Sequence, residues 1–138
     1  MIRRGWVGAA AGLALAAASA SAAGVETAPP GGAYRKFSEL APAPDFLPGL
    51  GTLYVDPRTL PQGPFLAYDH GGRLVSTVYM IPLKTFETHM RVDGLAGAGG
   101  AIDHVDIFYE NGHPGVEEPH YHIILWHVSR ADAVRVAQ

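Results

Sequence analysis

The stretch that decides the fold is His120-Tyr121-His122-Ile123-Ile124-Leu125-Trp126-His127-Val128. It is rich in β-branched and aromatic residues, holds no glycine or proline, and follows Pro119, so it reads as a strand. A strand has a period of two. His120, His122, Ile124 and Trp126 therefore share one face, and Tyr121, Ile123, Leu125 and His127 the other. Residues 102–109 repeat the pattern, with His104, Asp106 and Phe108 opposed to Val105, Ile107 and Tyr109. Paired as a hairpin, the two strands bring Asp106 near His122 or His120, and His104 falls one step further along.

The connection between them adds a further group. Asn111-Gly112 is a turn pair, Pro114 holds His113 extended, and Gly115 lets the chain fold back over the same patch. The candidate metal ligands are thus His104, His113, His120, His122 and Asp106, four histidines within nineteen residues and one carboxylate. Neutral imidazoles with one more group suit tetrahedral zinc, the first choice here, with copper, nickel and iron as alternatives. The acids are not clustered as a calcium or magnesium site requires. The chain has no cysteine, so the ligands must be nitrogen or oxygen. His127 points away from the patch, His70 reads as a turn residue, and His89 as a solvated helix residue.

Upstream, residues 65–69 and 74–81 form a second hairpin around His70-Gly71-Gly72-Arg73. Pro82 opens a short helix over residues 83–90, where Leu83, Phe86, Glu87 and Met90 fall at helical spacing. Residues 94–100, glycine or alanine except for Leu95, read as a flexible loop. Residues 52–55 are a short strand, and residues 131–136 a helical turn or two. Eight of the eleven prolines lie between positions 24 and 64, which forbids a regular helix or central strand there. The expected fold class is α+β and β-rich, with antiparallel hairpins forming a small sheet or barrel-like core, one short helix, and a Pro-rich N-terminal arm. The arm spans residues 24–50, and Tyr34, Phe37, Leu40, Phe46 and Leu47 pack it onto the body or onto a neighbouring subunit. The metal-binding domain spans residues 51–138.

Residues 1–23 read as a secretory signal peptide. Arg3 and Arg4 precede an apolar run of about twelve residues and small residues at the cleavage positions. That run is short of the roughly 20 residues a membrane anchor needs, so a periplasmic or secreted product without a stable anchor is expected. The whole chain has 138 residues and a formal net charge of −3. Without the two arginines of the signal the charge becomes −5, and no basic block remains for a nucleic acid. Lacking disulfides, the domain must draw stability from its core, from metal, or from oligomerisation.

Several segments carry a family resemblance: Gly51-Thr52-Leu53-Tyr54-Val55-Asp56-Pro57, residues 64–69, Val78-Tyr79-Met80-Ile81-Pro82-Leu83, His104-Val105-Asp106, Gly112-His113-Pro114-Gly115 and Pro119-His120-Tyr121-His122. Together they resemble a family of small secreted bacterial proteins of largely unassigned biochemical role. Its pattern is a His-x-Asp strand, a Gly-His loop and a Pro-His-aromatic strand. The resemblance implies a β-rich domain that self-associates as a homo-oligomer and binds metal through His104, His113, His120 and His122. Phe108 and Ile124 stand where some members carry a further histidine. The first functional expectation is a non-catalytic exported metal-binding protein, serving metal handling or envelope stress. Two others are a metal clip within a self-assembling envelope protein and a small metalloenzyme, either a hydrolase or a cupin-like oxygenase. For the enzyme, Tyr109, Glu110 and Glu118 are the acid–base candidates.

Overall fold

The structure, a computed structural model, describes residues 24–138; the signal peptide expected at residues 1–23 lies outside them. Among the described residues no helix is long and apolar enough to cross a membrane. The strands are β1 (Arg35–Lys36), β2 (Thr52–Val55), β3 (Phe65–Tyr68), β4 (Leu74–Pro82), β5 (His104–Glu110) and β6 (His120–Trp126), with α1 (Leu83–Glu87) between β4 and β5. They form one antiparallel sheet in the order β1-β2-β3-β4-β6-β5. The sheet is open: β1 and β5 are its two edges, so of the two expected forms the barrel is not the one adopted.

Rows of paired residues run across the core face. Val55, Phe65, Val78, Ile124 and Asp106 lie in register, as do Leu53, Ala67, Ser76, Trp126 and His104. The apolar members are buried beneath Phe37, Leu50, Val116 and Val136. Phe37 meets Phe65 edge to face at 5.5 Å and is wholly inside, so truncating it to alanine should cost about 3–5 kcal/mol. The Pro-rich segment therefore packs onto its own domain through Phe37 and Leu50, with Phe46 and Leu47 against the same core. Leu40 stays exposed.

The helix is shorter than its apolar spacing predicts. Phe86 meets Tyr121 edge to face at 5.5 Å but stays half exposed, and Met90 is exposed, so little burial would reward further turns. The chain leaves α1 through a Schellman arrangement, with Met90 N–H donating to the Thr85 carbonyl and His89 N–H to that of Phe86. His89 takes the left-handed position at φ 53°, so it caps the helix and is not a residue of it. The Gly/Ala loop is pinned across the outer face of the sheet. Tyr79 donates its hydroxyl to the Ala96 carbonyl (2.5 Å) and Thr77 to that of Ala98 (2.7 Å).

Candidate metal site

Two further rows continue the core face toward one end of the sheet. Met80, His122 and Phe108 form one, and Pro82, His120 and Glu110 the other. This register positions the histidines. His120 is fully buried and His122 nearly so. The third imidazole arrives from the turn His113-Pro114-Gly115-Val116, in which His113 and Val116 exchange both backbone hydrogen bonds at 2.9 Å. Proline at the second position and Gly115 at the third, with φ 90°, are the requirements of a type II turn. A Cβ on Gly115 would fall 2.7 Å from the Phe37 ring and 2.8 Å from Ala41. Val116, buried in the core, anchors the far end.

One ring nitrogen from each of His113, His120 and His122 lies within 4.8 Å of the other two. The hydrogen bonds define the tautomers. His120 Nδ1 stands 2.6 Å from the Glu118 carbonyl, and His113 Nδ1 stands 3.1 Å from that of Pro114. A carbonyl only accepts, so in the neutral rings both Nδ1 atoms carry the proton and both Nε2 atoms present a lone pair. His113 Nε2 is buried without a hydrogen-bond partner. His120 Nε2 faces His122 Nε2 at 2.9 Å, and His122 Nδ1 is again buried and unpartnered. Metal-ligating histidines are oriented in this way, with Nδ1–H donated to a carbonyl and Nε2 left free for the ion. Burial, reinforced by charge on His120 and His113, pushes the His122 pKa down to about 4. The ring is therefore neutral at physiological pH, as a ligand must be. The donor set fits a borderline transition metal.

Beside the cluster opens a cleft of about 280 Å³ lined by His113, His122, Glu110, Phe108, Met80 and the turn Leu47-Pro48-Gly49-Leu50. That turn repeats the Pro-Gly pattern of the histidine turn, with Gly49 at φ 87°. Proline content alone assigns these residues to the arm, although Leu-Pro-Gly-Leu is itself a turn signature.

His104 and Asp106 are not brought to the cluster, which corrects the sequence-based expectation for both. They share its face, as the alternation predicts, but pair with Trp126 and Ile124. At about 3.4 Å per residue, His104 is about 14 Å along the strand from the level of His122. Asp106 instead accepts the Trp126 indole N–H at 2.8 Å and lies 3.5 Å from the Arg130 guanidinium. His104 stacks on Trp126 and contacts Asp103 through Nδ1 at 2.8 Å. Tyr109 lies on the opposite face, bonded to Asn111, and Glu118 serves the site through its backbone carbonyl. His127 faces outward, as expected, and meets Thr77 and the Ala101 carbonyl of the pinned loop. His70 stacks on Phe46 at 3.7 Å.

Fold and cluster together define a small open-sheet protein with three imidazoles, a group that could hold a transition metal ion, at one end of its core face. No protein-family model matches the chain, and no curated protein matches it. Among solved structures, the crystal structure of a hypothetical protein, TTHB210 from Thermus thermophilus, is 48% identical with a TM-score of 0.62; the match covers 68% of this chain and 92% of that one. The chain belongs to the same family as that protein.

Proposed function

We propose that the chain is an exported metal-binding protein in which His113, His120 and His122 hold a transition metal ion, zinc before copper, nickel or iron, in a non-catalytic role such as metal handling. The observation that carries this reading is the pair of oriented imidazoles whose Nε2 lone pairs are buried and aimed inward. Export is supported by the signal-like pattern of residues 1–23. Self-association is supported by the edge strand β5, on which Val105, Ile107 and Tyr109 are exposed; light scattering of the purified domain tests it.

The test of the metal reading is a zinc titration of chelator-treated protein. One equivalent should bind, and zinc at about 100 times its Kd should stabilise the fold by about 2.7 kcal/mol. Both effects should vanish in His120→Ala and His122→Ala. A wild-type protein that stays empty with all four metals overturns the reading.

The cleft favours a second reading, a metalloenzyme. Three protein ligands with an open side are the pattern of catalytic zinc, where the ion supplies an activated water, and Glu110 lines the same cleft. Such an enzyme would be hydrolytic, because the open sheet offers no cupin barrel.

A further inference from the structure

We propose that the cleft beside the three histidines is a binding site for a small monocarboxylate with an apolar body, whose carboxylate ligates the bound metal. The inference rests on the metal reading above and deepens it. His120 is buried behind the cluster, whereas His113 and His122 form part of the cleft wall. A fourth ligand therefore reaches the ion from the cleft.

The other walls state what the rest of that ligand must be. Leu47, Pro48, Leu50, Met80 and Phe108 are apolar, and Met80 and Leu50 are already part of the protein core. Phe108 stands edge-on to His122 with ring centres 4.9 Å apart and is 41% exposed, a large aromatic surface left open beside the metal ligands. A volume of about 280 Å³ equals about nine waters at roughly 30 Å³ each, enough for a carboxylate carrying five or six carbons. Three neutral imidazoles leave a divalent ion with its full charge, which one anionic head group offsets in part. Among the described residues that line the cleft, Glu110 is the one carboxylate, and no lysine or arginine accompanies it. A second anionic group would meet that carboxylate in a mostly apolar space, so dicarboxylates are disfavoured.

Cobalt-loaded protein provides the readout, since its visible spectrum changes when the fourth ligand changes. Titration with acetate, butyrate and hexanoate should give affinities that tighten about 4-fold for each methylene that enters the cleft. Glutarate should bind more weakly than butyrate, and Glu110→Gln should narrow that gap. Phe108→Ala should weaken hexanoate about tenfold and acetate far less. Phe108 is 41% exposed, and circular dichroism of the variant checks that it stays folded. Cobalt binding with affinities that do not depend on chain length overturns this proposal and leaves the metal reading intact. Failure to bind cobalt together with zinc, copper, nickel and iron overturns both.

Discussion

Acidification of the metal-free protein is the sharpest test of how His122 is held. Its pKa is pushed from 6.5 down to about 4 by burial and by the neighbouring His120 and His113. The unfolded chain therefore takes up a proton near the ordinary histidine value, while the native state resists until much lower pH. Stability is unaffected above the unfolded pKa, falls as pH drops through the interval between 6.5 and 4, and levels off below it. Across the whole window the loss approaches about 3 kcal/mol, and between about pH 7 and pH 4.5 it amounts to about 2 kcal/mol. For a domain of this size that is a fall in Tm of about 8 °C. Asp69, nearly buried, also titrates. Its burial raises the pKa, but the Arg73 backbone N–H and the Arg135 and Arg73 side chains outweigh that and hold it below 3.8, so its effect falls at lower pH. The assay is thermal denaturation followed by circular dichroism in chelator, on wild type and His122→Leu. The wild-type Tm should fall through this window and the variant's should fall less by about the stated amount. Equal slopes in the two proteins would refute the placement of His122 as a buried neutral ring.

Three other outcomes follow from the geometry. Gly115→Ala forces a side chain into the left-handed region against Phe37 and Ala41; it should cost about 1–3 kcal/mol in chemical denaturation and weaken zinc binding by displacing His113. Asp106→Ala leaves the Trp126 indole N–H without its acceptor and should destabilise by about 1–3 kcal/mol, while zinc stoichiometry and Kd stay at wild-type values. Zinc affinity should fall as the pH is lowered, because protons compete for the imidazoles, and His122 joins that competition only as the pH approaches about 4; calorimetry at stepped pH measures the slope.

Local pattern was legible in the sequence wherever one residue type forces one geometry. The period of two placed His104, Asp106, His120 and His122 on one face, and Pro114-Gly115 marked the turn that brings His113 in. Register was not legible. A nine-residue connection spans Asn111 to Pro119, and a slip of two residues would have preserved every face while moving Asp106 opposite His122. What separates the two registers is tertiary: in the observed one, Trp126 finds Asp106 and stacks on His104. Closure of the sheet was equally hidden, since it depends on whether β1 and β5 meet, a contact between the first and last parts of the domain. The helix at residues 83–90 was overextended because apolar spacing signals a face to bury, and this fold supplies no surface to bury Met90.

The cluster works against the stability of the domain that carries it. A row of leucines could occupy the positions of His120 and His122 beside Met80 and Ile124 at no polar cost. Instead, three imidazoles are packed together, two of their ring nitrogens are buried without partners, and each such atom costs about 1–3 kcal/mol. The one bond within the cluster, between the Nε2 atoms of His120 and His122, requires His122 to hold its proton on Nε2. That choice leaves its Nδ1 lone pair unsatisfied. In the metal-free protein, therefore, no assignment of protons satisfies all three rings together. A divalent ion relieves the crowding of lone pairs at the Nε2 atoms, because it accepts them and needs no proton, and leaves only His122 Nδ1 without a partner. The backbone has been shaped to maintain the unsatisfied arrangement: the Glu118 and Pro114 carbonyls fix the tautomers of His120 and His113, a type II turn sets the approach of His113, and the β6 register places His122. Unsatisfied groups held this firmly, at the mouth of a cleft, are the mark of a binding site in a fold otherwise built for burial.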